Sequence, residues 1–88
     1  EMPYTFRLVW IIEITGEVFV LVAYTEDITA ESEVVPRIAL RMIDGNTLAV
    51  LSNTELDKVR MRLTDTIAAR DAIKPDEASR YIGFIESP

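Results

Sequence analysis

The chain has 88 residues, 49% of them apolar, and its fifteen acids and nine bases leave a net charge of −6. It contains neither cysteine nor histidine, which removes disulfides, thiol nucleophiles, the usual general base and the commonest zinc ligands. Catalysis by carboxylates alone remains possible, but the expectation is a non-enzyme with no cofactor, no metal and no catalytic residues. A basic footprint for nucleic acid is missing as well.

The uncharged apolar runs at residues 8–12 and 18–25 fall far short of the roughly 20 residues that cross a bilayer. With no basic segment leading into an apolar run and a cleavage site, the cytoplasm is the default address. A single domain over residues 1–88 removes only about 60 to 65% of its extended surface from water. Apolar surface is therefore left over, a first sign of self-association.

Residues 4–15 alternate steeply in apolar character and predict a long strand. Gly16-Glu17, with Gly where a type II′ turn needs positive φ, sends the chain straight back through residues 18–25. Strict alternation puts Phe6, Leu8, Trp10, Ile12 and Ile14 on one face with Phe19, Leu21 and Ala23. The other face carries Val9, Ile11, Val18, Val20, Val22 and Tyr24, interrupted by Arg7 and Glu13. An antiparallel hairpin with one wet face should be polar there, and this one is mostly apolar. Both faces need cover, so Val9, Ile11, Val20, Val22 and Tyr24 are the expected oligomer interface of a twofold homodimer, face to face or edge to edge. Trp10, between Leu8 and Ile12, reads as core rather than as a ligand platform.

Residues 26–33 form a polar connector without Gly or Pro, either a solvated loop or one helical turn capped by Thr29. Six acids and no base lie between Leu8 and Pro36, whereas the rest of the chain carries nine of each. The whole charge imbalance therefore sits in the first hairpin and this connector. Glu26, Asp27, Glu31 and Glu33 could bind a basic protein partner, or could serve only as a solvated segment that keeps an apolar protein soluble. A calcium loop would need regularly spaced oxygen ligands and a Gly, and has neither here. An anionic membrane would repel this end.

Residues 34–43 predict a third strand, with Pro36 near its start where a missing N–H does least harm. A rival reading begins a short helix at Pro36. Arg37 and Arg41 share one face of the strand, and Arg7 is placed on the outer face of the sheet. Such guanidinium groups hold phosphate or carboxylate bidentately, which gives an alternative function: a small-molecule or anion-binding domain with an apolar pocket between sheet and helix. The plainer reading pairs the arginines with Glu13 or with acids of a neighbouring subunit. Asp44-Gly45-Asn46 is a hairpin signal, and residues 47–51 return.

Ser52-Asn53-Thr54-Glu55 is a capping box, so Ser52 is a cap before it is a nucleophile. The helix should continue to about Ile73, with Leu56, Val59, Leu63 and Ile67 forming one apolar stripe. Met61, Ala68 and Ala72 make a weaker second stripe. Arg70 falls on the main stripe near the helix C-terminus, where a cation gains from the dipole and can snorkel. Lys74-Pro75 ends the helix and Pro75 opens a short second one. Residues 81–86 close that helix or form a tail strand, docked through Tyr81, Ile82, Phe84 and Ile85.

The expected fold is α+β in ββββα order: an antiparallel four-stranded sheet of two hairpins, one long helix on one face, and a short C-terminal helix or tail strand. One helix about 30 Å long and roughly 10 Å wide cannot roof four strands on both faces. The leading function is a non-enzymatic protein-protein interaction module, an obligate homo-oligomer presenting its acidic hairpin end to a more basic partner. A nucleic-acid mimic is weaker, because its acids would be spread over a surface and here they bunch at one end. The capping box and the two hairpin turns are generic fold signals and point to no family.

Overall fold

The computed structural model describes residues 6–25 and 34–85. Strands β1 (Phe6–Ile14), β2 (Glu17–Tyr24), β3 (Ile38–Asp44) and β4 (Thr47–Val50) form one antiparallel sheet in the order β1-β2-β3-β4. Helices α1 (Asn53–Asp71) and α2 (Pro75–Gly83) follow. This is the expected α+β arrangement in ββββα order, with the C-terminal segment helical rather than a fifth strand.

The first hairpin turns one residue earlier than the type II′ reading places it. Thr15 and Gly16 occupy the loop at φ 49° and 84°, and Ile14 pairs with Glu17. Two successive positive φ values are the signature of a type I′ turn, whose twist matches that of the flanking strands. Gly16 takes its position without strain. Thr15, β-branched and left-handed, does not.

A bulge then redistributes the side chains of β1. Trp10 lies opposite Leu21, but Leu8 lies opposite Val22 and Phe6 opposite Tyr24, so Val9 is the extra residue. A one-residue slip carries everything beyond it to the other face. Trp10, Ile12 and Ile14 keep the core side predicted for them, while Phe6 and Leu8 move to the outer face and Arg7, opposite Ala23, moves to the core side. Strict alternation had reversed those three. Val9 itself, expected in the outer interface, is the bulged residue without a cross-strand partner.

Pro36 is buried just outside the ladder, and the Arg37 amide opens the β3 pairing by donating to the Val22 carbonyl at 2.8 Å. The segment is strand, not the rival helix. A second bulge at Ile43 separates the Met42–Leu48 pair from Asp44–Thr47. The Asp44 carboxylate accepts the Asn46 amide at 2.8 Å, the local bond by which Asp stabilises a turn.

Ser52 caps α1 as predicted: its hydroxyl accepts the Glu55 amide at 3.2 Å, and the Glu55 carboxylate accepts the Ser52 amide at 3.1 Å. Leu56, Leu63 and Ile67 are buried and Val59 is partly so, which confirms the main stripe. Of the second stripe only Ala68 is buried. The helix ends at Asp71 because Ala72 turns left-handed at φ 57°, and Ile73 then donates to the Ala68 carbonyl at 3.1 Å. Pro75 begins α2 at a position where its missing N–H costs nothing. Ile82 and Ile85 dock the C-terminal segment, with Tyr81 half-buried; Phe84, expected to dock too, is exposed.

Ile12, Phe19, Leu21 and Ala39 meet Leu51, Leu56, Leu63, Ile67, Ala78 and Ile82 in one core between the sheet and the helices, with Trp10, Ile14, Val59 and Ile73 at its margin. Each fully buried Leu or Ile stabilises by roughly 1.5 to 3 kcal/mol.

Candidate interaction surface

Cross-strand partners share a face, so the register defines what the helices leave open. Ile11, Val20, Leu40 and Val50 form one row across all four strands. Leu8, Val22 and Ile38 form a second row across three, and Phe6–Tyr24 and Met42–Leu48 extend the face at its two ends. Phe6, Leu8, Ile11, Leu48 and Val50 are each 45–52% exposed. Val20 and Val22, at the centre of the two rows, are 6% and 7% exposed. Glu13, opposite Val18 near the hairpin turn, is the one charge the register assigns to this face among the described residues.

Of the residues expected in an interface, Ile11, Val20, Val22 and Tyr24 lie together here, with the Tyr24 ring against Phe6 at 5.5 Å. Sequence reasoning missed Phe6 and Leu8, which the bulge delivers, and the β3 and β4 contribution of Ile38, Leu40, Met42, Leu48 and Val50. The latter was readable, since residues alternating with Ala39 and Arg41 must face the other way.

The helical layer reaches the β1 edge at one backbone carbonyl. Arg70, expected to snorkel, instead donates from its guanidinium to the Ile11 carbonyl, satisfying a backbone group that would otherwise template strand pairing. Beside it the Trp10 indole N–H donates to the Asp71 carboxylate at 2.7 Å. Tyr81 of α2 meets the Trp10 ring edge-on at 5.7 Å and carries the Arg80 guanidinium over its own face. Trp10 is therefore a half-buried wedge between sheet and α2, not an open platform.

Arg41 points to the helix side, but neither Glu13 nor Arg37 is its partner. It pairs with Glu55 at 3.1 Å and Glu17 at 3.7 Å, at the rim of a cavity of about 410 Å³ whose apolar lining is Phe19, Leu51 and Val59. Hydrogen bonds from the Ser52 backbone and then from its hydroxyl hold the Glu55 carboxyl below its ordinary 4.5, and Arg41 and Lys58 add to this. Arg41 thus keeps an ionised partner across the neutral range. Arg37 lies four residues earlier in the chain, about 13 Å from Arg41 along an extended backbone. A second cavity of about 380 Å³ lies between α1 and α2 beside Met61, Thr64, Pro75 and Ser79.

Glu26, Asp27, Glu31 and Glu33 lie outside the described residues. Among the described residues no three acids cluster to hold a metal ion, and no helix is long and apolar enough to cross a membrane. No family model, no curated protein and no solved structure matches the chain.

Proposed function

We propose that the chain is a non-enzymatic protein-protein interaction module, with the outer sheet face as its docking surface and the acidic end directed at a more basic partner. The observation that supports this is the pair of apolar rows on a face that no helix among the described residues covers. Four strands about 4.8 Å apart, of 9, 8, 7 and 4 residues and so averaging about seven, outline roughly 19 by 23 Å, or about 440 Å² in flat projection. The largest apolar patch of a soluble monomer is itself about 300 to 600 Å² and often functional. The charge of −6 opposes binding to nucleic acid or to an anionic membrane and favours a basic protein. An anion site at Arg41 is the weaker reading, because two carboxylates already occupy that guanidinium.

Two methionines provide the test. Met42 lies on the outer face and Met61 on α1, 37% and 71% exposed, so peroxide should oxidise them within a small factor of each other if both are bare. In native extract Met42 should be protected at least tenfold relative to Met61, as read by mass spectrometry of the recovered chain. Oxidation of Met42 at the rate its exposure sets would overturn the reading.

A further inference from the structure

We infer that the occupant of the outer face is a second copy of this chain, stacked sheet to sheet about a twofold axis; this rests on reading that face as a docking surface. An isologous contact requires a surface to match itself, and the two apolar rows meet that condition. A second copy adds no unpaired charge at the centre, since Ile11, Val20, Leu40, Val50, Val22 and Leu8 meet their own kind. Glu13 stands at a corner of the face, on the edge strand next to the turn. Either twofold axis in the plane of the contact carries its mate to another corner, so like charges never meet.

Size points the same way. A standard interface takes about 800 Å² from each partner, and the contoured surface of side chains over a flat projection of about 440 Å² is of that order. Edge pairing offers less. Arg70 holds the Ile11 carbonyl on β1, and β4 has four residues and a bulge beside it. Stacking about 10 Å apart, as in a sandwich, uses the whole face instead.

The experiment uses opposite charges at the two ends of the central row. Ile11 and Val50 are half-exposed in the single chain, so Ile11→Glu/Val50→Glu and Ile11→Lys/Val50→Lys should keep the far-ultraviolet circular dichroism of the parent. Alone, each variant should run near the 10.0 kDa chain mass, with dimer dissociation raised at least a hundredfold. Mixed one to one, they should regain twice that mass, because either in-plane axis sets Lys against Glu. If the double variants do not fold, the single pair Val50→Glu and Val50→Lys replaces them with the same expectation.

Variants that remain dimers on their own would overturn the stacked arrangement. A purified parent that is monomeric, with Met42 bare in buffer but protected in extract, would overturn the second copy as occupant while leaving the docking surface. A monomeric parent with Met42 bare in both would overturn both.

Discussion

Trp10→Ala tests whether the indole wedge ties α2 to the sheet. The ring packs against the core margin, donates to Asp71 at 2.7 Å and meets Tyr81 at 5.7 Å. Because it is only half-buried, the apolar area it hides from water is at the low end for an aromatic, about 120 Å², worth roughly 3 kcal/mol at about 25 cal/mol per Å². The bond to an exposed carboxylate adds about 0.5 kcal/mol, because water replaces most of it, and the edge-on ring packing about 0.5 kcal/mol. The total is about 4 kcal/mol, a large part of the stability of a domain this small. Trp10→Phe keeps most of the ring and loses the indole N–H, so it should cost about 1 kcal/mol. Urea unfolding read by circular dichroism, at one fixed concentration so that association does not shift the midpoint, gives both numbers. A Phe variant as unstable as the Ala variant would show that the Asp71 bond dominates. An Ala variant within about 1 kcal/mol of the parent would show that Trp10 packs against nothing that matters.

Thr15→Asn should raise stability by about 1 kcal/mol, since Asn-Gly is the preferred type I′ pair and relieves a β-branched residue at positive φ; Ala72→Gly should add about 0.5 to 1 kcal/mol by the same logic at the end of α1. A fall in melting temperature for either would contradict the backbone assigned there. Glu55→Gln should lower the melting temperature at neutral pH. Because the folded carboxyl titrates below 4.5, its contribution is complete above that pH and disappears as pH falls through the lower folded value. Parent and variant should therefore converge as pH falls through the folded value, and a difference that does not shrink on acidification would refute the charged cap. Replacing Glu26, Asp27, Glu31 and Glu33 by Gln or Asn should preserve the fold while slowing association with a basic partner and weakening its salt dependence; an unchanged association rate would retire the acidic end as a binding element.

Local chemistry made most of the fold legible. The capping box, the apolar stripe through Leu56, Leu63 and Ile67, and the Asp44-Gly45-Asn46 turn each depend on neighbours within a few residues, and each forms as the sequence implies. The bulge at Val9 does not depend on neighbours alone. It lets Trp10 stay over the core near Tyr81 while Leu8 pairs with Val22, a long-range compromise that strict alternation cannot contain. Arg70 and Arg41 were misread for the same reason, since their partners are a carbonyl 59 residues away and the capping glutamate of α1. The uncovered face was half-read: the first hairpin announced it, and the alternation of Ile38, Leu40 and Met42 around Ala39 and Arg41 completes it.

The mass of the purified parent chain in solution tests the central claim most directly. Sedimentation equilibrium at micromolar concentration should return twice the 10.0 kDa of one chain, falling toward one chain only on dilution. A single 10.0 kDa species up to tens of micromolar would contradict a face that exists to be covered by its own copy.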